Sequence, residues 1–343
     1  MEIKELLLEH CDRYPHMKIQ DLVKLIYQNE FGSSHMIEDE YISLKRLSDE
    51  MDSLEALSGY DFEDIGNGFC RMNLGGLKNK NIDPATVNRF FINTANHMRG
   101  SVDSFEHKLE IIRQMPVYDE DALAFLEAYK SRGYPPLSHS DIYKEAYHPS
   151  YRVVKKEYCE YFDIFDKMDM LIRSRGTVNL AIDGNCGAGK SMLSVLLEGI
   201  YDCNVFHMDR FFLRPFQRTP ERLSEPGGNI DHERFYEEII EGIRSKKPFS
   251  YRIYDCRNDT LGPLISVEPK AINVVEGSYS MRPEFIDLYD IKVFMKIDKQ
   301  EQSRRILERS GSRLHKRFME EWIPMEDEYF AAYDIPRKAD LVY

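Results

Sequence analysis

The chain has 343 residues, of which 42% are hydrophobic and 31% are charged, and its formal net charge is −13 at pH 7. This length exceeds what one hydrophobic core usually serves, so we expect two domains. A broad nucleic-acid surface needs clustered Lys and Arg, so the negative charge argues against nucleic acid as a partner and requires that any anionic ligand be held locally.

Six cysteines without a C-x-x-C pair indicate reduced thiols rather than a disulfide or zinc framework. The chain has no apolar run of about 18 residues, and its first residues lack the basic and apolar segments of a targeting signal. The sequence therefore predicts a cytoplasmic protein with no membrane partner.

Residues 1–150 have the pattern of a mostly α-helical domain. Ile19, Leu22, Val23 and Ile26 recur at helical spacing, and Asp83 before Pro84 is a typical helix start. The glycine-rich stretch 66–76 predicts a loop or a short strand pair. The role of this half is not readable from its residues.

Two histidine-bearing polar clusters stand out in this half, around His35 and around His139, with His148 close behind the second. Imidazole is a common metal ligand, so these loops could form a second catalytic site. The alternative is that these are loop histidines hydrogen-bonded to the backbone.

Residues 151–175 alternate apolar side chains in steps of three and four, which predicts a long amphipathic helix connecting two domains. Residues 176–343 then alternate between strand and helix patterns, which is typical of a parallel sheet covered by helices. The predicted strands are 177–183, 204–208, 271–275, 291–297 and 339–343, and a helix is predicted over 233–243.

The first of these strands runs into the sequence G-x-x-x-x-G-K-S, and a helical pattern follows directly. This is a phosphate-binding loop in its required setting of strand, loop and helix. Its glycines let backbone N–H groups surround a polyphosphate, Lys190 supplies a cation, and Ser191 supplies a Mg²⁺ ligand. The predicted nucleotide-binding residues of the loop are Gly184, Asn185, Cys186, Gly187, Ala188, Gly189, Lys190 and Ser191.

Polar residues also follow the later strands, at the sheet edge where α/β proteins bind ligands. Asp209 follows the second strand, where a carboxylate could meet a hydroxyl near the γ-phosphate. Glu276 follows the buried strand and is suited to hold Mg²⁺. A helix rich in arginine begins near Ser303. Taken singly, Asp209 could cap a helix, Glu276 could lie in a turn, and the arginines could form a solvated helix face. Because all three follow the strands of the phosphate-loop sheet in order, they favour a phosphoryl-transfer site.

With these motifs, residues 176–343 resemble the uridine kinase and phosphoribulokinase family of P-loop kinases. The resemblance is carried by five segments in the family's chain order: Asp209-Arg-Phe-Phe, Asn229-Ile-Asp-His, Tyr254-Asp, Val275-Glu-Gly and Ser303-Arg-Arg, together with the phosphate loop. It implies an ATP-dependent kinase that uses Mg²⁺ and has a P-loop α/β fold.

The resemblance also implies roles for single residues. The catalytic residues would be Asp209, as the base for the acceptor hydroxyl, with Lys190 and Arg305. The acceptor would be bound by Asp209, Asp231, His232, Tyr254 and Arg305. Arg309 and Arg313 would join the loop in binding ATP, and Ser191 and Glu276 would hold the metal.

This chain departs from the family where the base of a nucleoside would be read. Cys256 and Asp259 stand where uridine kinases carry Phe and then His, and Glu308 takes a lid position where an arginine is expected. A pocket rebuilt from His to Asp accepts a different pattern of donors, so uridine itself is in doubt as the substrate.

The sequence therefore predicts a kinase that transfers the γ-phosphate of ATP to a primary hydroxyl of a nucleoside or a related ribose-like or sugar-like acceptor. The alternative is a regulatory protein in which the P-loop domain senses ATP and the helical domain binds a partner. The acceptor, the choice between ATP and GTP, and a homo-oligomeric state stay open.

Overall fold

A computed structural model describes residues 2–33, 39–56, 62–97, 100–115 and 120–343 of the chain. The chain forms two compact units, Met1–Asp169 and Met170–Tyr343. In the described part of the chain, no helix combines the length and apolar character needed to cross a membrane.

The first unit is mainly helical, as predicted. Its described helices are α1 (Ile3–Arg13), α2 (Ile19–Phe31), α3 (Glu40–Ser53), α4 (Leu74–Leu77), α5 (Pro84–His97), α6 (Val102–Ile112), α7 (Glu120–Ser131), α8 (Asp141–Tyr147) and α9 (Lys156–Glu160), followed by α10 (Phe162–Arg175). Leu22, Val23 and Ile26 of α2 are fully buried in the core of this unit, as their spacing indicates, whereas Ile19 is partly buried. Asp83 accepts a hydrogen bond from the Ala85 N–H, which confirms the predicted start of α5.

A small antiparallel sheet accompanies these helices. It consists of β1 (Phe62–Asp64), β2 (Phe69–Asn73) and β3 (Tyr151–Lys155), with β2 in the centre. The prediction of a strand pair within 66–76 is thus partly confirmed, since β2 lies there and α4 follows it.

The prediction of one helix over 151–175 is wrong at its start. Residues 151–155 pair with β2, with Val154 opposite Cys70, and the helical part is divided at Tyr161 into α9 and α10. Val153 and Val154 are buried, and β-branched residues fit a pleated sheet well when a partner strand is present. Helix α10 contains the point at which the chain passes from one unit to the other.

The second unit is built on a five-stranded parallel sheet. Its strands are β4 (Val178–Gly184), β5 (Cys203–His207), β8 (Ile272–Glu276), β9 (Ile291–Met295) and β10 (Leu341–Val342), in the spatial order β10-β9-β4-β8-β5. All of the neighbouring pairs are parallel, so the carboxyl ends of these strands share one edge. The five predicted strands are confirmed to within two residues at nearly every end.

Helices and a hairpin complete the second unit. The helices are α11 (Lys190–Glu198), α12 (Pro220–Leu223), α13 (His232–Phe235), α14 (Glu241–Ser245), α15 (Lys299–Arg317), α16 (Ile323–Tyr333) and α17 (Ile335–Lys338). One π-helical turn (Tyr236–Ile240) joins α13 to α14, and a second one (Phe318–Trp322) joins α15 to α16. The antiparallel hairpin of β6 (Phe249–Asp255) and β7 (Thr260–Val267) is an element that periodicity did not predict.

Candidate functional site

The loop between β4 and α11 has the backbone that a phosphate-binding loop requires. Gly184 has φ 135°, and a Cβ atom there would collide with the backbone of Met295 on β9. Gly189, with φ 100°, directly precedes α11. Because only glycine adopts these conformations freely, the chain turns sharply enough to direct backbone N–H groups toward the start of α11.

Lys190 lies folded against this loop. Its ammonium group donates to the Gly184 carbonyl at 2.7 Å, to the Asn185 carbonyl at 2.9 Å and to the Ser278 hydroxyl at 3.2 Å. The residue is buried. A buried ammonium group needs oxygen partners, and here the loop itself supplies them.

Asp183, at the end of β4, anchors the loop from below. One carboxylate oxygen accepts from the Gly184 and Tyr279 N–H groups, and the other accepts from the Met281 N–H and the Tyr329 hydroxyl. Burial raises the pKa of Asp183 to about 6, although the hydrogen bonds from Met281, Tyr329 and Gly184 oppose the shift. This carboxylate joins the phosphate loop to the segment after β8 and to α16.

The two predicted metal ligands lie together. The Ser191 hydroxyl is 3.3 Å and 3.4 Å from the two carboxylate oxygens of Glu276, which ends the neighbouring strand β8. Among the described residues no three His, Cys, Asp or Glu side chains gather around a metal-sized site. Mg²⁺ commonly takes only one or two protein oxygens and obtains the rest from phosphate and water, so the pair Ser191 and Glu276 fits it.

His207 is a third member of this group, and the sequence reasoning did not include it. Its Nδ1 atom lies 2.5 Å from a Glu276 oxygen, and this hydrogen bond raises the pKa of His207. The residue ends β5, opposite Glu276 in the sheet register. Its position at a strand end could have identified it from the sequence, because the same position led to the prediction of Asp209.

Asp209 lies just beyond β5 in a 3₁₀ turn. Its side chain is 69% exposed, and Arg210 Nε is 3.6 Å from it. An exposed carboxylate at the shared strand edge can approach a bound hydroxyl without first breaking a buried contact. The role of Asp209 toward an acceptor stays a prediction.

Asp231 and His232 are more enclosed than their predicted role suggests. Asp231 caps α13 through the Arg234 N–H at 3.3 Å, and its other oxygen accepts from the Gln217 amide at 3.0 Å. His232 Nδ1 lies 2.7 Å from an Arg222 nitrogen, and burial lowers the pKa of this histidine. Asp231 must therefore give up an internal bond in order to hold a substrate hydroxyl.

Tyr254 is also engaged within the chain. Its hydroxyl lies 2.6 Å from Asp259 and 3.4 Å from an Arg218 nitrogen. Burial and the Asp259 carboxylate raise the pKa of Tyr254 to about 12. Asp259, the residue that departs from the family pattern, has φ 52° and connects the two ends of the β6–β7 turn through this contact.

A cavity of about 540 Å³ lies beside Asp231. Its lining includes Arg214, Gln217, Glu237 and the apolar side chain of Leu261. Cationic, anionic, amide and aliphatic groups thus face one space, which suits a polar organic molecule with hydroxyl groups better than a bare anion.

The arginines of α15 lie on the phosphate-loop side. Arg305 donates to the Gly187 carbonyl at 3.2 Å and pairs with Glu301 at 2.7 Å. Arg309 Nη2 is 3.5 Å from the Cys186 sulfur, and Arg313 is exposed. Arg305 therefore contacts the nucleotide loop in this structure, whereas the resemblance implies a contact with the acceptor sugar. Glu308 is paired with Arg304 at 2.6 Å.

Glu326 on α16 is a site residue that sequence reasoning missed. One of its oxygens accepts from the Cys186 N–H at 3.0 Å, and the other is 2.7 Å from the Ser278 hydroxyl. It is 140 positions from Cys186 in the chain, within a helix of weak amphipathic pattern, and no local motif marks it.

In the first unit, the cluster around His139 is a buried network. Its ring nitrogens lie 2.8 Å from Asp21 and 2.6 Å from the Tyr151 hydroxyl, and burial lowers the pKa of His139 to about 4. These contacts agree with the structural interpretation of this histidine. His35 lies outside the described residues.

Comparison with known proteins was made by family model, by sequence and by structure. No family model and no curated protein sequence matches the chain. Over about half of its length it is similar to solved structures described as kinases. One is described as a possible uridine kinase from Bacillus stearothermophilus, with 20% identity and a TM-score of 0.39, covering 53% of this chain and 99% of that one.

Two further structures show a likeness of the same kind. One is assigned as a fructose transport system kinase from Silicibacter sp. TM1040, with 20% identity, a TM-score of 0.40 and coverage of 49% and 89%. The other is deoxyadenosine kinase from M. mycoides with bound dATP, with 15% identity, a TM-score of 0.23 and coverage of 48% and 90%. The second unit, a parallel α/β sheet with a phosphate loop after its central strand, has the architecture of P-loop kinases.

Proposed function

We propose that the second unit is an ATP-dependent kinase that phosphorylates a primary hydroxyl of a nucleoside or a related sugar-like acceptor. The observation that carries this proposal is the meeting of Ser191 and Glu276 beside the loop, with the exposed carboxylate of Asp209 on the next strand end. This grouping offers a phosphate loop, oxygen ligands and a base at one sheet edge.

In this mechanism the chain's own groups position the two substrates. Lys190 turns from the Gly184 and Asn185 carbonyls to the β- and γ-phosphates of ATP, aided by the loop N–H groups. Ser191 and Glu276 would hold Mg²⁺, which supplies charge neutralisation on the phosphates when bound. His207 orients Glu276 through their hydrogen bond.

Asp209 accepts the proton of the acceptor hydroxyl as that oxygen attacks the γ-phosphorus, and ADP leaves from the opposite side. Asp231 lines the cavity in which the sugar would lie. Arg305 and Arg309, held near the loop, neutralise charge on the transferred group.

The test is Asp209→Asn in the full chain, with ADP release measured across a panel of nucleosides, sugars and phosphosugars, using ATP and GTP. We expect unchanged ATP affinity and a loss of turnover of about a hundredfold or more with the active acceptor, because general-base catalysis contributes on this scale. Glu225→Gln, which removes another exposed carboxylate of the same unit, is the control. Equal turnover for wild type and Asp209→Asn would remove Asp209 from the mechanism.

A nucleotide-sensing protein is the second candidate, and one observation favours it. The carboxylate of Asp231 and the hydroxyl of Tyr254 are engaged within the chain. A sensor needs no acceptor pocket, so internal bonds there would cost it nothing. ATP binding with no acceptor-dependent ADP release over the whole panel would favour the sensor over the kinase.

A further inference from the structure

The apex of the phosphate loop is held by three side chains, of which Gln302 and Glu326 have no role in the proposed kinase mechanism. Cys186 is contacted at three atoms: its N–H by Glu326, its carbonyl by the Gln302 amide at 2.9 Å, and its sulfur by Arg309. Gln302 and Arg309 belong to α15, and Glu326 belongs to α16. The two helices therefore contact the loop at Cys186, a residue that a polyphosphate must approach.

Glu326 is the anionic member of these three contacts. It is 7% exposed and its carboxylate lies within the loop's own hydrogen-bonding system, because Ser278, its second partner, also accepts from Lys190. A carboxylate and a phosphate present the same kind of acceptor oxygen to a backbone N–H. Glu326 thus occupies one loop donor with an anionic group of the protein itself.

We propose that Glu326 is a positioning residue that holds the Cys186 N–H in the absence of nucleotide and yields it to the triphosphate, and so sets the nucleotide affinity of the loop. This inference rests on the proposed binding of ATP. The like charges of the carboxylate and the phosphate cannot share the donor, so binding requires that Glu326 turn away or lose its charge.

Charged and titratable groups from every neighbouring segment face Glu326. Lys190 on α11 attracts it, and Asp327 on α16, Cys186 in the loop and Tyr279 after β8 complete the set. Burial is the largest influence and raises the pKa of Glu326, while Lys190 opposes it. The carboxylate is therefore easier to neutralise than an exposed glutamate, and its competition with phosphate weakens at acid pH.

Helix α16 also provides a rigid base for this contact. Tyr329, one turn after Glu326, donates to Asp183 at 2.8 Å and is fully buried. Residues three apart lie on one helix face, so a single face of α16 reaches both the base and the apex of the loop. Displacement of Glu326 by a nucleotide can then occur by a side-chain movement while α16 keeps its place.

The test is Glu326→Gln in the full chain, with the dissociation constant of MgATP measured by calorimetry between pH 6 and pH 9. Glutamine has the same shape and can still accept from the Cys186 N–H, but it carries no charge. At pH 9 we expect the variant to bind about tenfold more tightly than wild type, as removal of one nearby like charge predicts. The difference between the two affinities should become smaller as the pH falls.

Asp327→Asn is the matched control, because it removes the same charge from the next position of α16, where the side chain pairs with Lys299 and makes no contact with the loop. At pH 9 it should change the affinity much less than Glu326→Gln does. Equal affinities of wild type and Glu326→Gln at every pH would overturn the inference and leave the proposed nucleotide binding intact. No binding of ATP or GTP by the wild-type chain would overturn both.

If Glu326→Gln does not fold, calorimetry on the wild-type chain decides the matter. MgATP binding at pH 8 is measured in two buffers with different enthalpies of ionisation. Uptake of up to about one proton supports the neutralisation of Glu326 by the incoming phosphate. Binding without proton uptake, together with a wild-type affinity that does not increase as the pH falls from 9 to 6, overturns the inference.

Discussion

Both units bury charged side chains, but they satisfy them in different ways. In the first unit, Arg71 is 2% exposed and is bonded to the side chains of Gln28 and Glu63. In the second unit, Lys190 and Glu326 are bonded mainly to backbone carbonyls, a backbone N–H and a hydroxyl of the phosphate loop.

This difference distinguishes a network that stabilises the fold from a network that can exchange its partners for a ligand. An ion pair whose partners are both buried has no alternative partner, so breaking it leaves an uncompensated charge. A loop carbonyl or N–H can exchange a side chain for a ligand at little cost, because each is still hydrogen-bonded afterwards. The Arg71 network therefore stabilises its unit, and the loop network is ready to exchange partners.

The largest effect that would test this contrast is on stability. Arg71→Met should lower the free energy of unfolding by about 3–5 kcal/mol, because it removes the closest cation of the buried Glu63 and leaves it only the part-exposed Arg13 at 3.7 Å. Denaturant unfolding measures this, and the folded fraction should bind nucleotide as wild type does. Arg175→Met, at an exposed pair with Asp290, is the control and should cost less than about 1 kcal/mol. If both substitutions lowered the free energy of unfolding equally, the contrast between the two networks would be wrong.

A second test uses the buried histidines of the first unit. Burial lowers the pKa values of His10 and His139 to about 4. The unfolded chain binds these protons near pH 6.5, so their contribution to stability is complete above pH 6.5 and decreases as the pH falls toward 4. Each histidine should lower the free energy of unfolding by about 2 kcal/mol as the pH falls from 6.5 to 5.

Unfolding free energies measured across this pH range check the prediction. His139→Gln should reduce the slope of the unfolding free energy against pH by the contribution of one histidine. His97→Gln, at an exposed histidine, is the matched control and should leave this slope unchanged. A flat profile from pH 7 to pH 5 would mean that these histidines take up protons in the folded protein over the same pH range as in the unfolded chain.

The third test concerns the metal ligands of the exchangeable network. Ser191→Ala should raise the Mg²⁺ concentration for half-maximal turnover about tenfold, since one of two protein oxygens is lost. Ser194→Ala is the control because its hydroxyl bonds to the Ser191 carbonyl and not to Glu276. Identical magnesium curves for the two variants would contradict the assignment of Ser191.

The smallest expected effect is at the loop sulfur. Cys186→Ala removes the contact with Arg309 but keeps every backbone donor. The dissociation constant of ATP should change by less than about threefold, because backbone groups make the main phosphate contacts. A large loss of affinity, measured by calorimetry at one pH, would show that the side chain itself takes part.

Several predictions from sequence were local and succeeded for that reason. The phosphate loop, its strand and its helix are specified by residues adjacent in the chain, and the parallel strands are short apolar runs that only a buried sheet can satisfy. The β6–β7 hairpin was missed although β6 alternates between half-buried and exposed residues, because its partner β7 lacks a clean alternation.

The sequence alone determined the nucleotide loop, the strand ends that carry Asp209 and Glu276, and the α/β class of residues 176–343. The tertiary structure alone decided that residues 151–155 form a strand, because their partner β2 lies about 80 residues earlier. It also decided that Glu326 meets Cys186, that His207 meets Glu276, and that Arg305 faces the loop. These contacts join distant parts of the chain, and no local periodicity encodes which distant side chain will fill a given hydrogen bond.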